Sequence, residues 1–137
     1  MTVQIYDTLT ATPDTTLEAE KLVVENLPTL TSPLFDLASL LRLTAIDNKP
    51  VSMCFVIPRE GSSYEIYYHN WDGYSQETAT NSTHHHVSYV FANVKNYLDH
   101  LGGSRFIFSS SRDEAFVLAR FPNARKTEGR WYEVTVD

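Results

Sequence analysis

Residues 51–68 read VSMCFVIPREGSSYEIYY, and their reading decides the fold. Val51–Ile57 is nearly all apolar and β-branched or aromatic in part, the signature of a central strand. Arg59-Glu60-Gly61-Ser62-Ser63 is turn chemistry, and Tyr64–Tyr68 returns as a second strand. A hairpin in mid-chain needs neighbours to bury its faces, so the segments on either side are read as the rest of a sheet and its helices.

On the N-terminal side, Thr2–Tyr6 alternates as a short strand, and Thr8–Thr16 is a Thr-rich loop holding Pro13. Thr15 and Glu18 have capping-box spacing and predict a helix to about Asn26, with Ala19, Leu22, Val23 and Leu27 on one face and Pro28 ending it. Ser32 as N-cap and Pro33 at N1 predict a second helix, its stripe being Leu34, Leu37, Ala38 and Leu41. Asp47 to Pro50 is a turn, and Asn70 to Thr83 is an irregular loop.

On the C-terminal side, Val87, Val90, Phe91, Val94, Leu98 and Leu101 make one stripe and predict a long helix from His84 to Leu101, the longest of the chain, stopped by Gly102-Gly103. A strand over Arg105–Phe108 follows. Ser111 and Glu114 then suggest a second capping box, opening a helix through Arg120. Trp131–Val136 is a last strand with Tyr132, Val134 and Val136 on one face. The order predicts an α+β fold: a mainly antiparallel sheet of about five strands with helices packed on one face, as a single domain over residues 1–137.

Composition narrows the function. With 42% hydrophobic and 20% charged residues, the 137-residue chain is an ordinary globular sequence. A single cysteine excludes an internal disulfide framework and Cys-rich zinc sites. The net charge of −6 opposes general nucleic-acid binding. No apolar run is long enough to span a membrane, and MTVQIYDTLT has no leader pattern, so the expected compartment is the cytoplasm. Charge is uneven along the chain. Arg105, Arg112, Arg120, Arg125, Lys126 and Arg130 lie within residues 105–130, whereas residues 1–48 are rich in acids.

The candidate chemistry is sparse. His84, His85 and His86 are consecutive, and helical neighbours point about 100° apart, so they cannot converge on one ion. His100 is roughly 21 Å further along such a helix. No metal and no cofactor are expected. Cys54 sits inside the apolar strand and reads as core, and the Ser109–Ser111 junction lacks a nucleophile-elbow motif. Two segments remain as candidate binding surfaces. One is the junction where Ser111 and Arg112, with Arg105, are placed to hold an anion at a helix start. The other is the aromatic loop holding His69, Trp71 and Tyr74, suited to stacking on a base or anchoring a protein interface.

Tyr68-His69-Asn70-Trp71-Asp72-Gly73-Tyr74 resembles a Tyr-His-Trp-Asp-Gly-Tyr run of small uncharacterised phage and mobile-element accessory proteins, although Asn70 interrupts the run and Ser75 stands where those have proline. The resemblance covers seven residues. It implies a viral accessory or anti-defence protein and carries over no catalytic residue. The resulting expectation is a small acidic binding protein of inhibitor or sequestering type, more a binder than an enzyme. Its partner would be a host or cognate protein or a phosphate-bearing, nucleotide-like ligand. The alternatives are a small enzyme using His and Asp groups of residues 69–86, and a structural subunit.

Overall fold

In the computed structural model, residues 2–26, 39–70 and 86–135 are described, without the side chains of residues 69–70 and 86–88. They form strands β1 (Val3–Asp7), β2 (Leu40–Ile46), β3 (Lys49–Arg59), β4 (Ser63–Asn70), β5 (Arg105–Ser109), β6 (Ala124–Lys126) and β7 (Trp131–Thr135). The helices are α1 (Pro13–Glu25), α2 (His86–Ala92), α3 (Val94–Leu101) and α4 (Glu114–Arg120). Strand order is β1-β2-β3-β4-β5-β7-β6. The β1–β2, β2–β3, β5–β7 and β6–β7 ladders are antiparallel, and β4–β5 is parallel. The expectation of about five strands is therefore corrected to seven, since β2 and β6 were not anticipated.

The chain divides into two compact units: Met1–Phe55 with Tyr68–His86, and Val56–Tyr67 with Val87–Asp137. In the first, Asp47 and Asn48 have φ of 49° and 65°, the left-handed pair that a two-residue type I′ hairpin requires. They join β2 to β3, pairing Ile46 with Lys49. The turn anticipated over residues 47–50 thus narrows to two residues, with Lys49 and Pro50 already in β3. Every residue of β2 is buried, so its sequence, LLRLTAI, shows no alternation. That is why Leu41 was read as part of a helical stripe. The predicted second helix otherwise falls outside the described residues. α1 is capped by Thr12 with a reciprocal bond from Thr15, one turn before the Thr15–Glu18 box expected from the sequence, and it buries Ala19 and Val23.

In the second unit the single long helix is replaced by two. Asn93 donates its side-chain amide to the Tyr89 carbonyl at 3.0 Å, and the backbone breaks there before restarting as α3. Among the described residues α1, with 13 residues, is the longest helix. Phe91, Phe108, Phe121 and Tyr132 form the core cluster, with ring centroids 4.5–5.6 Å apart. Tyr97 and Leu98 of α3 are fully buried with Val90, Phe106 and Val134. α3 ends at Gly102 in the left-handed region. Gly103 is needed for a different reason: a β-carbon there would lie 2.5 Å from the Tyr64 ring, whose hydroxyl donates to the Leu101 carbonyl. No described helix is long and apolar enough to cross a membrane.

Candidate active site

The face of the second unit opposite its aromatic core is polar. Strand alternation puts Ser63, Glu65 and Tyr67 of β4 on this face. Register carries the face onto Arg105 and Ile107 of β5, Glu133 and Thr135 of β7, and Arg125 of β6. Glu65 and Glu133 are buried, at 7% and 8% exposure, so each carboxylate requires charged or hydrogen-bonding partners. Arg59 donates through Nε and Nη2 to Glu65 Oε1 at 3.2 and 2.9 Å. The Tyr67 hydroxyl shares this carboxyl group, and the bond holds its proton above the usual phenol range, with burial adding to the effect. Arg105 donates to Ser63 Oγ at 2.5 Å and reaches Glu133 Oε2 at 3.4 Å, and Arg125 caps Glu133 from the other side.

Beside this network the β4–β5 ladder runs only from Ser63↔Arg105 to Glu65↔Ile107. β4 continues past Ile66 and Tyr67, and β5 continues to Phe108 and Ser109, yet those residues do not pair with each other. The pairing of the two parallel strands thus stops immediately after Glu65↔Ile107, beside Tyr67. An open groove of about 670 Å³, lined by Pro58, Arg59, Glu60, Ser63, Arg105 and Ile107, lies at the paired end.

The residues singled out from the sequence do not assemble as expected. Trp71 and Tyr74 lie outside the described residues, as do His84 and His85, and His69 is placed only as a backbone position of β4. Arg105 begins β5, whereas Ser111 and Arg112 follow its far end, so the expected grouping of all three is not formed. The cap of α4 is Asp113 rather than Ser111: its carboxylate accepts from Phe116 N at 2.9 Å, putting a negative charge where an anion was expected. The Arg112 guanidinium lies 4.7 Å from the centre of the Phe116 ring. Among the described residues no cluster of three His, Cys, Asp or Glu side chains could hold a metal. Cys54 is fully buried in β3 and its thiol is pushed up to about 12, first by burial, with Arg42 opposing and Asp7 adding. Glu65 and Tyr67 were missed. Their spacing of two on the YEIYY strand was visible, but the pairing that buries Glu65 was not.

No protein-family model and no curated protein matches the chain. Solved structures do. N-acetylglutamate synthase from Neisseria gonorrhoeae, complexed with coenzyme A and N-acetyl-glutamate, aligns over the whole of this chain and 36% of its own, with a TM-score of 0.55 and 11% identity. The fold is like that of these solved N-acetyltransferases. A Lactobacillus plantarum protein assigned as an N-acetyltransferase aligns over 98% of this chain and 99% of its own at TM-score 0.52 and 10% identity. The ribosomal-protein-S18-alanine N-acetyltransferase of Escherichia coli aligns over 98% and 94% at 0.50 and 7%. This chain thus spans about a third of the synthase. The acetyltransferase fold overturns the expectation of a non-enzymatic inhibitor or viral binding protein, and with it the expected host-protein partner. Those expectations rested on the absence of a recognisable catalytic motif and on seven residues of local resemblance.

Proposed function

We propose that the chain is an acyltransferase that moves an acyl group from a coenzyme A thioester to an amine. The observation that carries this reading is the stop in the β4–β5 ladder immediately beyond Glu65↔Ile107, beside a hydrogen-bonded Tyr67–Glu65 pair. Fold alone would not carry it, because one fold hosts many chemistries. The stop in the ladder beyond Glu65↔Ile107 suits the amide-bearing arm of coenzyme A, which needs backbone donors and acceptors in an extended slot. When bound, the thioester supplies the activated acyl group. An amine attacks only after losing its ammonium proton. Tyr67 and Glu65 offer the path: the phenol oxygen accepts that proton as its own proton passes to the Glu65 carboxylate. Arg59 holds the carboxylate in place. Residues 71–85, which follow β4 in the sequence, hold one glycine and no lysine or arginine, unlike a glycine-rich phosphate-binding motif.

The test pairs calorimetric titration with coenzyme A against thiol release from acetyl-coenzyme A in the presence of mixed amines. Binding and amine-dependent release are expected. Glu65→Gln and Tyr67→Phe should each lower kcat by about 10²-fold with little change in coenzyme A affinity. No binding at millimolar coenzyme A, or unchanged kcat in both variants, would refute the reading.

A further inference from the structure

The groove at the paired end of β4 and β5 has a composition that the acyl-transfer reading leaves unused. Its walls carry two guanidinium groups, Arg59 and Arg105, each 43% exposed at the side chain. The inner side of each is fixed: Arg59 by Glu65 and Tyr67, Arg105 by Ser63 and Glu133. A guanidinium has five N–H donors, so these bonds leave donors over on both groups. An arginine already held by a buried carboxylate loses little side-chain freedom on binding a second anion, which makes it a preorganised clamp. Gly61, at φ of 70°, makes the turn into β4 in a conformation that side-chain-bearing residues rarely adopt.

Charge sets what the clamp can hold. The lining carries Arg59, Arg105 and Glu60, and the buried Glu65 and Glu133 behind it already balance the two arginines, so the groove offers spare guanidinium donors without a large excess of positive charge. That balance suits one carboxylate and disfavours a polyanion, whose extra charges would meet Glu60. Position sets where the rest of the ligand goes. Ser63 and Arg105 pair across the ladder, and Glu65 and Ile107 are the next pair on the same face, roughly 7 Å further along the strands. A molecule whose carboxylate is clamped at the first pair presents its other end to Glu65 and Tyr67.

We infer that this groove is the acceptor pocket and that it selects amines carrying a single carboxylate, such as a free amino acid or the C-terminal end of a short peptide. The inference rests on the acyl-transfer reading for the word acceptor, and on the groove alone for the carboxylate.

The test uses matched probes that differ only in that group: L-phenylalanine with phenethylamine, L-leucine with isoamylamine, and L-lysine with cadaverine. Binding is read by NMR shifts of the Ile107 amide and the Arg59 and Arg105 Nε–H groups, without coenzyme A. Turnover is read separately as thiol release from acetyl-coenzyme A. At least one carboxylated probe should bind ten-fold or more tightly than its decarboxylated partner. Arg59→Gln and Arg105→Gln should each weaken it ten-fold, and Arg105→Gln should leave the bare amine within two-fold. Arg105→Lys, which keeps the charge and loses the fork, should recover part of the loss, and melting temperatures of all three variants report whether the fold survives. Equal binding of both members of every pair, or no shift from any probe at 10 mM, overturns the inference. Carboxylate-dependent binding with no coenzyme A affinity and no thiol release would retain the clamp and sink acyl transfer instead. Thiol release that is indifferent to the carboxylate would do the reverse.

Discussion

Asp7 and Arg42 meet at 2.6 Å in the first unit with their side chains only 8% and 10% exposed, whereas Arg59 meets Glu65 at 2.9 Å in the second with the arginine 43% exposed. Both pairs obey the same constraint, that a carboxylate taken from water must keep its charge satisfied. In the first unit both ends of the pair are sealed, next to a cysteine whose thiol is kept protonated. In the second the acid is sealed and the cation is left facing a groove. A buried charge pair closed at both ends can only hold a fold together. One closed at the acid end alone also presents a fixed cation to whatever enters.

The sharpest way to break this comparison is to remove the acid from the closed pair. Asp7→Ala removes the buried carboxylate that pairs with Arg42 and accepts from Leu9 N, so it should cost about 3–5 kcal/mol by chemical denaturation. Arg125→Ala removes a partner that is 74% exposed, leaves Arg105 on Glu133, and should cost under about 1 kcal/mol. Similar losses would erase the distinction between sealed and open pairs. Phe91→Ala tests the core behind the open face and should cost about 3–5 kcal/mol, because Phe91 touches Phe108 and Phe121. A loss under about 1 kcal/mol would show that the aromatic cluster is not packed as described.

Smaller effects sharpen the picture. Gly103→Ala should cost about 1–3 kcal/mol through its clash with Tyr64. Cys54 supplies a pH signature for the closed side. Its thiol ionises near 9.0 when solvated and near 12 when buried, so above pH 9 the unfolded chain sheds a proton that the native chain keeps. Stability should fall by about 1.4 kcal/mol per pH unit between those values. Cys54→Ala removes that component, so the difference between the two proteins' pH–stability curves isolates it. The smallest change concerns Ser52, whose hydroxyl is fully buried without a hydrogen-bond partner among the described residues. Ser52→Ala should leave stability unchanged or raise it by up to about 1 kcal/mol.

Elements that carry their own local signal were readable in advance. β3 and β4 follow from an apolar run and an alternating run around a turn, and α1 and α4 follow from capping residues placed within a turn of the true caps. What failed was non-local. β2 is buried throughout and so has no polar period, β6 is three residues long, and Asn93 interrupts a stripe whose spacing fits one helix equally well. The candidate site was obscured for the same reason. Arg105 was singled out for its charge, but it was grouped with Ser111 and Arg112, its near neighbours in sequence. Its partners are Ser63 and Glu133, which only the sheet order brings alongside.

The Ser63–Arg105 bond also has a bearing on the order in which the chain folds. The two residues are 42 apart, and closing a loop of that length costs roughly 3 kcal/mol in its length-dependent part, about twice the cost for the six-residue span joining Lys126 to Tyr132. Hairpins such as β6–β7 and β2–β3 can nucleate locally, whereas the parallel contact must wait for the intervening chain to be drawn in. The β4–β5 pairing that lines the groove is therefore expected to form after those hairpins. A carboxylate bound there would tie together two strands that share only three ladder pairs.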